Sequence, residues 1–128
     1  DVKAENGAIK KVVLSAYRGG SCNVGDVEAI KKGVHKEFAL LGQTDDHTNL
    51  WKLPIDKWAK KVEKNKAEGK YPPKEKIDFK FITIDITGTA AMVKLGFYKA
   101  KKLTYTDYLL LYKFKDGWKL VSKIYNKH

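Results

Sequence analysis

A chain of 128 residues, 43% of them hydrophobic, is long enough to bury a core, so we expect one folded domain over residues 1–128 and not a disordered chain. The formal net charge of +11 points to anionic partners, but Arg18 is the only arginine among the 26 basic residues. Recognition of nucleic acid relies on the paired donors of arginine, so the composition argues against a nucleic-acid partner. No apolar run approaches the roughly 18 residues of a membrane span.

Three helices are predicted in the first half of the chain. The first has an apolar stripe over residues 9–17 and is expected to end at Gly19 and Gly20, because glycine readily adopts the left-handed conformation of a helix terminus. The second is expected to begin near Asn23. The third is opened by Pro54, which is well tolerated in a first turn. Its inner side is formed by Ile55, Trp58 and Val62.

Strand patterns fill most of the remaining sequence. Two brief strands, "FALLG" and "LWKL", precede the third helix, and four consecutive strands are predicted after residue 76. In "IDFKFITIDITG", strict alternation places Ile82, Ile84 and Ile86 on one face, and Phe79, Phe81 and Asp85 on the other. Both faces of this strand are therefore expected to be apolar.

Helices that are segregated from an antiparallel meander indicate an α+β fold. We expect three N-terminal helices packed on one face of a curved antiparallel sheet. Because the helices can cover only one apolar face, the other is expected to form the interface of a homodimer.

The last two strands contain charged residues in segments that are otherwise apolar, namely Asp107 and Lys123. Asp116-Gly117 between the strands is a strong hairpin signal. A two-residue turn there pairs Asp107 with Asn126 and Leu110 with Lys123, and a bulge would shift this pairing by one residue.

Asp107 lies near the start of its strand, so we expect its carboxylate near the mouth of a pocket. A buried carboxylate is costly without a donor. The expected donor is a tyrosine hydroxyl, a lysine or a backbone N–H.

Metal ions and disulfides have no candidate residues in this sequence. Cys22 is the only cysteine, which excludes an intrachain disulfide and a cysteine cluster. Asp45, Asp46 and His47 are adjacent, and consecutive side chains rarely converge on one ion, so a solvated turn is expected there. The segment "YRGGS" lacks the glycine spacing of a phosphate loop. We predict no metal and no cofactor.

Several segments, in order and over nearly the whole chain, resemble one known group of proteins. They are "VVLSAYRGG", "GDVEAI", "FALLG", "IDITGTAAMVKL" and "YTDYLLLYKFKDGWKLVSKIY". Together they resemble the nuclear transport factor 2-like superfamily, especially its putative lumazine-binding (SnoaL-like) subgroup. The resemblance implies a cone-shaped fold that encloses a pocket, and homodimers that form through sheet faces.

The same superfamily contains ketosteroid isomerases and dehydratases, so we tested the sequence for their catalytic groups. An isomerase needs a carboxylate base and donors for an oxyanion. By resemblance, Tyr17 matches a tyrosine donor of the first helix, but the base position falls at Gly42 or a neighbouring leucine, and the donor acid near Leu110. Neither residue supports the chemistry. A dehydratase-like pair of His35 with Asp107 or Asp85 remains an alternative.

The leading hypothesis is thus a small-molecule-binding or accessory domain with an internal pocket and no identifiable catalytic centre. Its predicted ligand-binding residues are Tyr17, His35, Trp58 and Asp107. The alternatives are a lyase or isomerase that acts on an apolar, polyketide-like carbonyl compound, and a protein-interaction module. The chain begins at Asp1 without methionine, so we expect a processed or trimmed product, and export with loss of a signal peptide is one route to it.

Overall fold

Helices occupy the first part of the chain and long strands the last part in the computed structural model, which describes residues 1–128. The helices are α1 (Val2–Val12), which continues as a π-helix (Val13–Asn23), α2 (Val27–Gly33) and α3 (Ile55–Ala67). The strands are β1 (Val34–Gln43), β2 (Leu50–Pro54), β3 (Ile77–Thr87), β4 (Ala90–Lys99), β5 (Lys102–Phe114) and β6 (Gly117–Lys127). No helix is both long and apolar enough to cross a membrane.

The six strands form one sheet in the order β2-β1-β6-β5-β4-β3. All neighbouring pairs are antiparallel except β1 and β6, which are parallel. The helices pack on one face, and the core between the layers is formed by residues such as Ile9, Val13, Ile30, Phe38, Val93, Leu95, Leu109 and Leu111. The predicted α+β fold with helices on one face of a mainly antiparallel sheet is confirmed.

The first helix runs further than the sequence predicted. Gly19 and Gly20 do not end it, because both lie inside the π-helical turns that continue to Asn23. Gly20 instead allows close packing against α2, since a Cβ there would lie 2.9 Å from the side chain of Ile30. The need for close approach between helices therefore outweighs the tendency of glycine to terminate a helix.

A bulge in β3 corrects the prediction that this strand is apolar on both faces. Phe81 pairs with Leu95 and Thr83 with Lys94, so Ile82 is an extra residue without a direct partner and is 54% exposed. An extra residue reverses the alternation beyond it. The phenylalanines before the bulge and the isoleucines after it consequently pack on the same core, namely Phe79, Phe81, Ile84 and Ile86.

The β5–β6 hairpin is also offset from the predicted register. The turn is formed by Lys115 and Asp116, and Gly117 is the first residue of β6, with φ of 119°. A second bulge leaves Val121 without a direct partner, because Leu111 pairs with Leu120 and Leu110 with Ser122.

This offset decides where the two charged side chains of the hairpin point. Asp107 is opposite Tyr125, not Asn126, and Lys123 is opposite Leu109, not Leu110. Without the bulge, alternation from the buried Trp118 would direct Lys123 outward. With it, Asp107 and Lys123 share the inner face of the sheet.

Candidate functional site

A cleft of about 300 Å³ opens between the helices and the inner face of the sheet. Tyr17 and Cys22 of the π-helix and Trp58 of α3 form one side of it. The strands contribute the other side, which consists of Leu40, Phe97, Lys99, Tyr105, Lys123 and Tyr125. Its walls are therefore mainly aromatic, and its charged lining groups are lysines.

Three polar side chains meet at the inner wall of this cleft, which Tyr17 and Lys123 also line. The Tyr17 hydroxyl donates a hydrogen bond to Asp107 Oδ2 at 2.6 Å, and Lys123 Nζ donates to the same hydroxyl. Lys123 Nζ also lies 3.4 Å from Asp107 Oδ2, with side-chain exposures of 10% for the lysine and 0% for the aspartate. Asp107 Oδ1 is buried and has no hydrogen-bond partner. We call Tyr17, Asp107 and Lys123 the interior triad.

The placement of the interior triad corrects one expectation and answers another. The sequence predicted that Asp107 lies near the mouth of the pocket, but the residue is fully buried. Its donors are two of the three kinds expected, a tyrosine hydroxyl and a lysine.

Burial dominates the electrostatics of the interior triad. It raises the pKa of the Asp107 carboxyl above its ordinary 3.8, against the opposing effect of Lys123 and Tyr17. It lowers the pKa of the Lys123 ammonium below 10.5, against the effect of Asp107, and raises the pKa of Tyr17 well above 10.0. Removal from water penalises the charged form of each group, so burial shifts all three towards their neutral forms.

Aromatic rings surround the amine of Lys123. Its Nζ lies 4.3 Å from the ring centroid of Tyr17, 5.6 Å from that of Tyr125 and 5.8 Å from that of Trp58. The faces of aromatic rings attract cations, which offsets part of the cost of burying the ammonium form.

Lys99 and Cys22 are the other groups of the cleft that can carry charge near the amine. Lys99 Nζ lies 5.7 Å from the ring centroid of Tyr105. Burial raises the pKa of the Cys22 thiol to about 11, so the thiol is neutral at physiological pH.

The cleft does not continue deep into the core. The space on the other side of Tyr17 and Trp58 measures about 10 Å³ and is lined mainly by apolar side chains, among them Ile30, Phe38 and Leu109. That volume is at the lower limit for one water molecule, and the lining offers few polar partners. Of these two spaces, only the outer cleft has room for a ligand of several heavy atoms.

Comparison with known proteins places the chain in a family. The profile of the family described as "Putative lumazine-binding" matches residues 4–126, which is nearly the whole chain. The chain belongs to the putative lumazine-binding family.

Solved structures agree with this family and show the fold of the nuclear transport factor 2-like superfamily. A protein of unknown function from Shewanella baltica is 26% identical, with a TM-score of 0.78 over 100% of this chain and 97% of that one. Another from Silicibacter pomeroyi is 16% identical, with a TM-score of 0.79 over 100% and 99%. A third, from Methylobacillus flagellatus, is 23% identical, with a TM-score of 0.72 over 98% and 93%. No curated protein matches the chain.

Within this family member, the structure brings three of the four predicted ligand-binding residues together. Tyr17 and Trp58 line the cleft, with ring centroids 6.0 Å apart, and Asp107 lies directly behind Tyr17. His35 is elsewhere, on β1, where its ring stacks on Phe114 with centroids 4.9 Å apart. Its Nδ1 accepts a hydrogen bond from the Glu37 N–H.

The acid–base pairs considered for His35 are not assembled. His35 lines a different depression on the surface, with Lys31, Lys36 and Asp56 among its neighbours. Asp85, the second carboxylate considered, is exposed on β3. Neither His35–Asp107 nor His35–Asp85 forms a pair at the cleft.

The structure also corrects the comparison with the isomerases. Leu110 is 48% exposed on the outer face, so the acid position was assigned to the wrong side of the sheet, and the inward carboxyl of β5 is Asp107. At Gly42, a Cβ would lie 2.2 Å from the ring of Trp51, so that position has no space for an acidic side chain. A tyrosine–carboxyl pair is thus present, whereas no carboxylate lines the cleft as a base.

Sequence reasoning did not assign Lys123, Lys99, Tyr105 or Tyr125 to the site. Lys123 stands out in the sequence, because a lysine interrupts an otherwise apolar segment. The predicted register, however, paired it with Leu110 and not with Leu109. Nothing in the sequence marks Tyr105 and Tyr125 as site residues, because alternation of aromatic residues is equally typical of core and pocket positions.

Proposed function

We propose that the chain is a small-molecule-binding domain whose cleft receives a planar aromatic ligand with an acidic group. The observation that carries the proposal is the lining of the cleft, which combines five aromatic side chains with Lys99 and Lys123 and contains no carboxylate. Pockets of this kind, mainly apolar with a few polar groups, are typical of ligand sites.

The volume of the cleft supports a ligand of one or two rings. At about 300 Å³ it lies at the small end of the range of ligand sites, so a large polycyclic compound would extend into solvent. Trp58 on one side of the cleft and Tyr105 and Tyr125 on the other offer aromatic rings for a flat ligand to contact. Lumazine, the compound in the family's name, is itself a planar bicycle, which supports a ligand of this shape.

The charges support an anionic ligand over a neutral one. Lys99 and Lys123 are at the cleft, and the net charge of +11 favours the approach of anions over longer distances. Because Lys123 is already paired with Asp107, Lys99 is the more available partner for an acidic group.

Titration with 2-naphthoate, followed by tryptophan fluorescence and calorimetry, tests the proposal. We expect saturable binding of one equivalent, with weaker binding of the neutral analogue 2-naphthalenemethanol. Lys99→Ala is expected to weaken binding of 2-naphthoate about tenfold, or roughly 1.4 kcal/mol. Lys60→Ala removes the same charge from an exposed site on α3 and is the matched control. Absence of binding, or equal loss in both variants, would contradict the proposal.

We also propose that two chains pair through the outer face of the sheet. The bulged strand β3 does not supply the apolar outer face for this, but other large apolar side chains lie exposed on neighbouring outer positions of β5 and β6: Tyr108, Leu110, Tyr112 and Ile124. Exposed apolar patches of this kind usually mark interfaces. Light scattering should give twice the chain mass of 14.6 kDa, and Leu110→Lys should return it to one chain mass. A monomeric wild-type protein at micromolar concentration would exclude the dimer and leave this face to another protein.

A further inference from the structure

We propose that Lys123 is a nucleophilic amine that forms an imine with an aldehyde or ketone held in the cleft. This inference rests on the proposed function, because the same cleft would bind the carbonyl compound. The inference extends the proposed function from binding to covalent chemistry, with a planar carbonyl compound as the ligand class.

The position of the amine is the first argument. Lys123 is one of the residues that line the cleft, and its side chain is only 10% exposed, so the amine faces the ligand space and is otherwise shielded from water. The groups around it come from five elements. They are Tyr17 and Cys22 of the π-helix, Trp58 of α3, Lys99 of β4, Tyr105 and Asp107 of β5, and Tyr125 of β6, the strand of Lys123 itself. Asp107 is the only carboxylate among them.

The hydrogen bonds of the interior triad provide a path for the proton that the ammonium must lose. Lys123 Nζ donates to the Tyr17 hydroxyl, and that hydroxyl donates to Asp107 Oδ2 at 2.6 Å. A proton can pass from nitrogen to the tyrosine oxygen while the tyrosine proton passes to the carboxylate. The result is a neutral amine and a neutral carboxylic acid, with no change in total charge.

Burial favours this transfer. The interior lowers the pKa of Lys123 and raises the pKa of Asp107, so it penalises both members of the charged pair. Buried lysines with lowered pKa are the ones that proteins use for Schiff-base chemistry. A salt bridge retained only for stability gains little from burial, since apolar side chains of equal volume stabilise a core as well or better.

The covalent step balances without any further reactant. The amine lone pair attacks the carbonyl carbon, and the C=O π electrons move to oxygen, which takes the proton that the nitrogen gives up, so that a neutral carbinolamine forms. The nitrogen lone pair then expels the hydroxyl, which leaves as water with the proton that Asp107 returns through Tyr17. The product is a protonated imine paired with the Asp107 carboxylate, so one carbonyl compound and one ammonium give one iminium and one water.

Reductive trapping with 4-formylbenzoate and cyanoborohydride at pH 6.5 tests the inference directly. This probe is a planar aromatic acid with an aldehyde, and the reductant converts its imine into a stable secondary amine. Exposed lysines with ordinary pKa values have only about one amine in ten thousand unprotonated at this pH. Among the lysines, we expect peptide mapping to find one main adduct, on Lys123, at least about tenfold above any other, and 2-naphthoate to suppress it.

Tyr17→Phe separates the relay from the cleft, because it removes the hydroxyl and keeps the ring and the amine. We expect labelling of Lys123 at saturating aldehyde to slow about tenfold or more, which is a change in rate and not in half-saturation. Lys60→Ala should label as the wild type does. If the labelling rate at saturating aldehyde were unchanged in Tyr17→Phe, the proton relay through the Tyr17 hydroxyl would be wrong.

The outcomes distinguish this inference from the proposed function. If 2-naphthoate binds and Lys123 remains unlabelled, or if labelling is spread over the surface lysines, the imine inference is wrong and the binding function stands. If Lys123 is labelled selectively although 2-naphthoate does not bind, the inference stands and the preference for an acidic ligand is wrong.

Discussion

The protein contains two clusters built from the same kinds of group, a carboxylate, a lysine and an aromatic donor. In the interior triad these are Asp107, Lys123 and Tyr17. In the surface cluster they are Glu5, Lys113 and Trp118, where Glu5 Oε1 accepts from Lys113 Nζ at 2.9 Å and Oε2 from Trp118 Nε1 at 2.7 Å. The surface cluster joins α1 to the β5–β6 hairpin.

Access to water separates the two clusters. In the surface cluster, side-chain exposures are 26% for Glu5 and 44% for Lys113, and hydrogen bonds from Lys113 and Trp118 lower the pKa of Glu5. In the interior triad, burial outweighs the partners and raises the pKa of Asp107. A carboxylate paired with a lysine and an aromatic donor is thus kept charged at the surface, whereas burial favours its protonated form in the interior.

Removing the lysine of each cluster should give the largest contrast. Lys123→Met leaves Asp107 without its cation in the core, and we expect a loss of about 3 to 5 kcal/mol in the free energy of unfolding at neutral pH. The loss should shrink as the pH falls, because the pKa of Asp107 is raised by burial and the carboxylate can then take a proton. Urea unfolding at several pH values measures both.

Lys113→Met is the matched change in the surface cluster, where water can solvate Glu5 once its partner is gone. We expect a much smaller loss of stability than in Lys123→Met. Equal losses in the two variants would mean that solvent access does not separate the clusters.

The next largest effect is expected for Tyr17→Phe, which removes one hydroxyl and leaves the ring in place. Asp107 loses a donor and Lys123 an acceptor, both in a buried setting, so the cost should be about 1 to 3 kcal/mol. Thermal unfolding beside Tyr71→Phe provides the comparison, because that hydroxyl donates to the Ser21 carbonyl at 2.8 Å in a less buried place. A smaller loss in Tyr17→Phe than in Tyr71→Phe would argue against a tightly coupled triad.

The smallest expected effect concerns how stability changes with pH, because Glu5 and Asp107 should contribute with opposite signs. The pKa of Glu5 is lowered from 4.5 in the folded chain, so its contribution is present above pH 4.5 and is lost as pH falls through the lowered pKa. The pKa of Asp107 is raised from 3.8, so the folded chain binds this proton more readily, and stability from it is lost as pH rises through the raised pKa.

Acid titrations of Glu5→Gln and Asp107→Asn therefore should diverge from the wild type in opposite directions. On acidification, the stability advantage of the wild type over Glu5→Gln should narrow, and its advantage over Asp107→Asn should grow. Parallel pH curves for the two variants would refute the opposite signs.

Much of the fold was predictable from the sequence, because periodicity and turn residues report local structure. The apolar stripe over residues 9–17, the start of α3 at Pro54 and the strands after residue 76 are all of this kind. The apolar outer face of β3 was not predictable in this way, because its prediction depended on unbroken alternation through Ile82. A bulge there moves the later isoleucines to the core.

The candidate site was less predictable, for a related reason. One extra residue at Val121 brings Lys123 to the inner face, and nothing in the local pattern specifies where a bulge forms. Tyr17 and Trp58 were predictable as inward residues of helices. Their meeting with Asp107 depends on contacts between residues 90 positions apart in the chain, which local patterns do not encode.

The most direct test follows the indole N–H signals of Trp58 and Trp118 by NMR as 2-naphthoate is added. Trp58 lines the cleft beside the interior triad, whereas the indole of Trp118 is bonded to Glu5 in the surface cluster. We predict a saturable shift of the Trp58 signal with little change for Trp118. A shift confined to Trp118, or no shift of either signal, would contradict the account that the interior triad and its cleft form the functional site.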